Sequence, residues 1–185
     1  MTTPALFDLN APDAAIREAV AAVGRRALGA SLIGTVIVHG IPGPQGSKSA
    51  FRNKHTGRIQ QVESSKKVAP WRADVRDAAE GLLISPPLDE PLLLDMVFTF
   101  LRPKTHYRSG RNAHLLRDSA PARPATKPDL SKLARSTEDA LTSAGVYRDD
   151  ARIVEYGRLA KVWADEDPDA LDRPGALIRI YRMEP

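Results

Sequence analysis

Asp129, Asp149 and Asp150 are the residues of this chain whose types and spacing suit joint chemistry. Asp129 follows Pro128 and stands directly before a helix-periodic stretch, Leu130 to Ser143, while Asp149 and Asp150 sit at the start of the strand expected after it. One helix and one turn are therefore expected to bring three carboxylates to the same end of a sheet. Carboxylates held that close repel one another unless a cation joins them, and an oxygen-rich set without cysteine or histidine suits Mg2+, with Mn2+ as the alternative. Each acid also has an ordinary explanation. An Asp before a helix caps its free amides, and an Asp-Asp pair at a strand start is commonly a solvated turn. Spacing leaves both explanations open.

Positive charge is unevenly placed. From Arg102 to Lys127 no period appears, and the stretch carries Lys104, Arg108, Arg111, Arg117, Arg123 and Lys127 against a single acid, Asp118, with His106, Tyr107 and His114 between them. A structureless loop longer than about 15 residues is usually functional or disordered. One-sided charge with interleaved rings suits a mobile arm that closes on phosphates and stacks a ring on exposed bases; a merely soluble loop is the plain alternative. His106 and His114 have no further clustered ligand beside them, so zinc is not expected. A second basic run holds Lys48 and Arg52, and Lys132 adds a charge near the start of the helix after Asp129.

These residues need a scaffold. Ala11 to Leu28 reads as a helix opened by Asn10, Pro12 and Asp13. Gly34 to Gly40 is a β-branched run closed by Ile41-Pro42-Gly43-Pro44, and Gln45 to Gln61 reads as a basic loop or hairpin. A second helix begins near Ser64 or Ser65, or at Pro70, and continues to Leu83, with Pro86-Pro87 barring its continuation. Leu92 to Leu101 is nearly continuous in apolar residues and is expected to be central in the sheet. The helix Leu130 to Ser143 ends at Gly145 as its C′ residue, and strands follow at Arg152 to Trp163 and Ala176 to Arg182, separated by the acidic loop Asp165 to Pro174. The expected fold is α+β: a single domain, residues 31–185, with a mixed sheet of about four strands and helices packed on it, preceded by a helical extension, residues 1–30.

Composition agrees with one well-filled core: the 185 residues are 42% hydrophobic and 27% charged, with a net charge of +4 and no cysteine. The longest apolar stretches are short, so no membrane span is expected. Met1 to Asn10 lacks the basic start and apolar run of a secretory signal, and a cytoplasmic location is expected. The charge balance makes a polyanionic partner plausible.

The segment Lys127 to Glu155 resembles the signature of the RusA family of Holliday junction endodeoxyribonucleases. Asp129, Leu130 and Leu133 match the family's helix opening, Asp139-Ala140-Leu141 its middle, and Gly145, Asp149-Asp150 and Ile153-Val154 its end, without a gap. A looser similarity extends from about Val36 to the C-terminus: Gly40-x-Pro42 with the basic run through Lys48 and Arg52 is similar to the family's first strand and basic loop, and Lys161 resembles a recurring lysine. One departure matters. The second acid of the motif falls on Ser131, asparagine is replaced by Lys132, and the motif lysine falls on Arg135.

The resemblance implies a Mg2+-dependent endonuclease acting as a homodimer on four-way or other branched DNA, in recombination, repair or phage DNA processing. It assigns Asp129 and Asp150 as metal ligands, Asp149 as a third ligand or water-orienting base, and Arg135 and Lys161 as phosphate contacts. Lys48, Arg52, Lys104, Arg108, Arg111, Arg117, Lys127 and Lys132 are the expected DNA-binding residues. Two alternatives stand beside it. One is a junction-binding protein with weak or lost cleavage because of Ser131; the other is a single-strand or RNA-binding module that uses the basic loop without metal chemistry.

Overall fold

A computed structural model describes residues 29–46, 48–52, 57, 59–63 and 66–184. The expected helix from Ala11 to Leu28 lies outside the described residues. In chain order the elements are strands β1 (Ala30–His39), β2 (Lys48–Arg52) and β3 (Ile59–Glu63), helix α1 (Val68–Ala79), strand β4 (Leu92–Phe100), helix α2 (Leu130–Ser143), and strands β5 (Ile153–Trp163) and β6 (Gly175–Met183).

Four strands form one mixed sheet in the order β1-β6-β4-β5. The β1/β6 and β6/β4 pairs are antiparallel, and β4/β5 is parallel. β4 is central, as its unbroken apolar run predicts, and every residue from Leu92 to Thr99 is buried. The basic stretch after β1 forms a hairpin, β2 paired antiparallel with β3, as a separate two-stranded sheet. The architecture is α+β, a single domain with a mixed four-stranded sheet and two helices among the described residues.

Both helices pack on one sheet face. Alternate β4 residues Leu92, Leu94, Met96 and Phe98 meet Trp71 and Val75 of α1 and Leu133 and Leu141 of α2 in a single core. Burial of each large apolar side chain stabilises the fold by roughly 1.5–3 kcal/mol. The helices are also tied by a polar contact in that core: Trp71 Nε1 donates to Thr137 Oγ1 at 3.0 Å, and that hydroxyl donates to the Leu133 carbonyl at 2.9 Å. On the other face, Leu93, Tyr181 and Ala30 form a smaller cluster.

The parallel β4/β5 pair decides where the aspartates go. Two parallel neighbours need a crossover, so α2 must run back across the sheet before β5 begins. The start of α2 consequently lies beside the end of β5, and the turn that precedes β5 lies toward the end of α2. Gly145 ends the helix at φ +74°, in the left-handed region its predicted C′ role requires.

Candidate functional site

At the start of α2, Asp129 occupies the N-cap position in extended conformation, yet its side chain makes no capping hydrogen bond. Its carboxylate instead pairs with Lys132 at 3.1 Å and is 51% exposed. The Lys132 hydrogen bond and charge, aided by Lys127 and Lys161, hold the carboxyl below its ordinary range. It is anionic and accessible from solvent. Lys161, near the end of β5, donates from Nζ to the carbonyls of Thr126 at 2.7 Å and Pro128 at 2.9 Å. Two of its three donors therefore brace the chain leading into Asp129, and partial burial lowers its pKa.

A cleft of about 520 Å³ opens beside Asp129, lined by Pro42, Gln45, Lys67, Lys127 and Lys132 among others. Its far wall is fixed by two contacts. Gln45 N donates to the Lys132 carbonyl at 2.9 Å. At Gly43 an added Cβ would lie 2.2 Å from the Lys67 carbonyl oxygen, so the close approach of this segment to α1 needs glycine. Three lysines facing one carboxylate make the cleft attractive to a phosphate backbone.

The basic stretch after β4 is more ordered than its sequence suggests. Short 3-10 turns occupy Lys104–His106 and Gly110–Asn112, and Tyr107 bridges Leu116 across an antiparallel turn. Arg108 N donates to the Leu115 carbonyl and Arg117 N to that of His106, each at 2.9 Å. The base of the loop is pinned from β5. Trp163 Nε1 donates to the Pro121 carbonyl at 3.0 Å, His106 stands edge-on to the Trp163 ring, and Arg102 lies over that ring while pairing with Glu166. The missing signal was long-range: these partners come from Trp163, Glu166 and Asp167, beyond any local window.

Of the expected DNA-binding residues, Lys104, Arg108, Arg111, Arg117, Lys127 and Lys132 are exposed. Two are occupied within the loop: Arg108 pairs with Asp118 at 2.9 Å, and Arg117 Nε donates to the Tyr107 carbonyl at 2.7 Å. Lys48 and Arg52 are the first and last residues of β2.

Asp149 and Asp150 are exposed in the turn before β5. Asp149 Oδ1 accepts from Ala151 N at 2.8 Å and so caps the short 3-10 turn Asp150–Arg152. Arg148 and Arg152 both pair with Asp89, at 3.0 and 2.7 Å, anchoring this turn to the segment before β4. The acidic neighbour of Asp150 is Glu138, whose side chain feels its charge. Glu138 is 9% exposed and accepts a hydrogen bond from the Tyr156 hydroxyl, while its backbone carbonyl accepts one from Tyr147 at 3.0 Å. Burial above all, with repulsion from Asp150 and Asp139, holds its carboxyl above the usual range, and Tyr156 and Arg135 oppose the shift.

The three aspartates expected at one end of the sheet are thus divided, Asp129 at the start of α2 and Asp149 with Asp150 in the turn before β5. About 13 Å of helix rise separates Asp129 from Glu138, the level at which Asp150 acts. Among the described residues, no group of three or more carboxylate or imidazole side chains is placed to hold a metal ion. The reason is the crossover: α2 runs opposite to β5, as the links Lys161 to Pro128 and Tyr156 to Glu138 record in reverse order. Arg135, exposed on α2, is felt by Glu138. Ser131 is exposed beside Asp129 and adds no charge. Glu138 carries no distinguishing signal along the chain, because its burial and the Tyr156 contact arise only when α2 packs on β5.

The chain therefore presents two separate places of interest: an exposed carboxylate in a lysine-lined cleft, and an acidic turn backed by a buried carboxyl. Neither is a complete metal centre alone, although all-carboxylate donors are the right chemistry for a hard cation. No helix among the described residues is long and apolar enough to cross a membrane. A comparison with curated proteins found no match. The family model described as endodeoxyribonuclease RusA matches residues 42–171, which takes in the cleft, the basic loop, α2 and β5.

Proposed function

The chain belongs to the RusA family of endodeoxyribonucleases, and from that premise we propose that it resolves four-way DNA junctions by Mg2+-dependent hydrolysis of paired phosphodiesters. The observation that carries this reading is the family match over residues 42–171. The lysine-lined cleft around an ionised, uncapped Asp129 supports it.

A four-way junction is nearly two-fold symmetric and must be cut on two opposed strands, which a symmetric homodimer matches. The division of the aspartates adds a reason for pairing. A two-fold axis set across the α2/β5 edge would exchange the ends of α2 and so bring Asp129 of one subunit toward the end of the partner helix beside which the Asp149-Asp150 turn lies. β5 is an edge strand of the sheet, and Val154 and Tyr156 on it are 61% and 42% exposed. Burial of such side chains would favour association.

When bound, a divalent cation supplies positive charge to the phosphate and acidifies a water. The chain's own residues do the rest. Asp129 and Asp150 supply the anionic oxygens, Lys127 and Lys132 attract the backbone, Lys161 holds the Asp129 turn in place, and Arg135 neutralises charge along α2. In this reading the protein serves recombination, repair or phage DNA processing from the cytoplasm.

Cleavage of four-way junction, flap and linear duplex DNA, each with and without magnesium, tests the proposal. Paired nicks near the branch point that require magnesium are expected. Equal cutting of linear duplex, or cutting in excess chelator, would sink it. A second reading, a junction-binding protein with weak cleavage, is favoured by Lys132, which sits on the Asp129 carboxylate beside the uncharged Ser131; tight junction binding without nicks would select it.

A further inference from the structure

On the far side of Lys127 and Pro128 from the lysine-lined cleft lies a second cavity of about 450 Å³. Phe100, Lys127 and Pro128 line both spaces. We infer that this cavity receives an unpaired nucleobase from the branch point while the adjoining phosphate lies in the cleft, an assignment that rests on the nuclease reading above.

Its walls are the first argument. Pro103, Pro124, Ala125, His106 and Trp163 present flat or apolar surface, and the size falls within the range of about 300–1,000 Å³ usual for small-molecule sites. Continuity is the second. A ligand that fills both spaces needs an anionic part for the lysines and a planar apolar part a few ångströms away, and a nucleotide has that form. The third is preorganisation. Trp163 is held by the Pro121 carbonyl, Arg102 by Glu166 and the Pro121 carbonyl, and Arg123 by Asp167 at 2.9 Å. The cavity is therefore formed without the ligand, and of its two lysines Lys161 is already bonded to the Thr126 and Pro128 carbonyls. A pocket so built holds a base by stacking and exclusion of water. Its value to the reaction is selection of branched DNA, where a base can leave its stack at small cost, over intact duplex.

The test is a cycle in chelator, so that nothing is cut. Dissociation constants are measured by fluorescence anisotropy for an intact four-way junction and for one with abasic branch-point nucleotides, using wild-type protein and Ala125→Trp. Ala125 is exposed at the cavity wall, so the indole fills the cavity without disturbing the core. His106→Ala, which removes a wall, is run in parallel. Removal of the bases should weaken wild-type binding roughly five- to hundredfold, each variant should weaken binding to the intact junction, and base removal should then cost the variants little more. Equal loss on base removal in wild type and both variants overturns the inference while leaving the nuclease reading intact. A junction bound no tighter than linear duplex overturns both.

Discussion

Lys161 donates from Nζ to the carbonyl of Pro128 at 2.9 Å, which fastens the residue preceding Asp129 to the far end of β5 from Asp150. That tie, with the matching one to Thr126, makes Lys161 a brace for the start of α2. Lys161→Met removes two hydrogen bonds to exposed and half-buried carbonyls, and a loss of about 1 kcal/mol in urea unfolding is expected. Junction cleavage should fall in kcat with a smaller change in KM; unchanged stability together with a large loss of affinity would mark Lys161 as a phosphate contact instead.

The divided aspartates predict complementation between subunits. Asp129→Asn and Asp150→Asn should each abolish nicking alone while retaining junction binding. In the proposed homodimer, mixing and re-equilibrating the two variants gives heterodimers in which one site has lost both carboxylates and the other keeps Asp129 from one chain and Asp150 from the other. Recovery of single nicks is the expected result. No recovery, with heterodimers demonstrated by mass spectrometry, would place both aspartates in a site within one chain.

Glu138 makes stability depend on pH. Its folded-state carboxyl is raised above the ordinary value of 4.5 by burial, so the stability linked to its protonated form is fully present below that value and is lost as pH rises through the raised one. Glu138→Gln should therefore match wild type near pH 4 and gain on it toward pH 8 in urea melts of metal-free protein. A constant difference across that range would show that Glu138 acts through shape alone.

Asp167 works in the opposite direction. Hydrogen bonds from Arg158 and Arg123 bring its carboxyl down to about 2, against the desolvation that opposes them. Its side chain is 4% exposed, and the shift from 3.8 corresponds to stability on the order of 2 kcal/mol, present above pH 4 and lost as pH falls toward 2. Asp167→Asn should lower the melting temperature at pH 7 by several degrees and flatten the acid limb. Because Arg123 then loses its anchor, the loop base should also exchange amide hydrogens faster.

Ser131 and Lys132 set the charge at the Asp129 turn. Ser131→Asp returns a carboxylate to that turn, and the magnesium concentration for half-maximal nicking should fall severalfold. Lys132→Gln frees the Asp129 carboxylate from its 3.1 Å partner and should act in the same direction on metal affinity while weakening junction binding. If neither variant moves the magnesium requirement, Asp129 is not where the ion is held.

The sequence by itself determined α2, β4 and the family. α2 begins and ends where its apolar period, the preceding Asp129 and the terminal Gly145 place it, because helix signals lie within a few residues of one another. β4 was legible as central because burial on both faces demands an unbroken apolar run. The motif from Asp129 to Val154 was legible because a family signature is a pattern along the chain. Tertiary structure alone decided how those pieces meet. The parallel β4/β5 pairing turns α2 around and parts Asp129 from Asp150; packing of α2 on β5 buries Glu138 under Tyr156; and Trp163, Glu166 and Asp167 organise a loop that reads as structureless. Each of these depends on contacts between residues far apart in the chain, whose energies appear only when the sheet order brings them together.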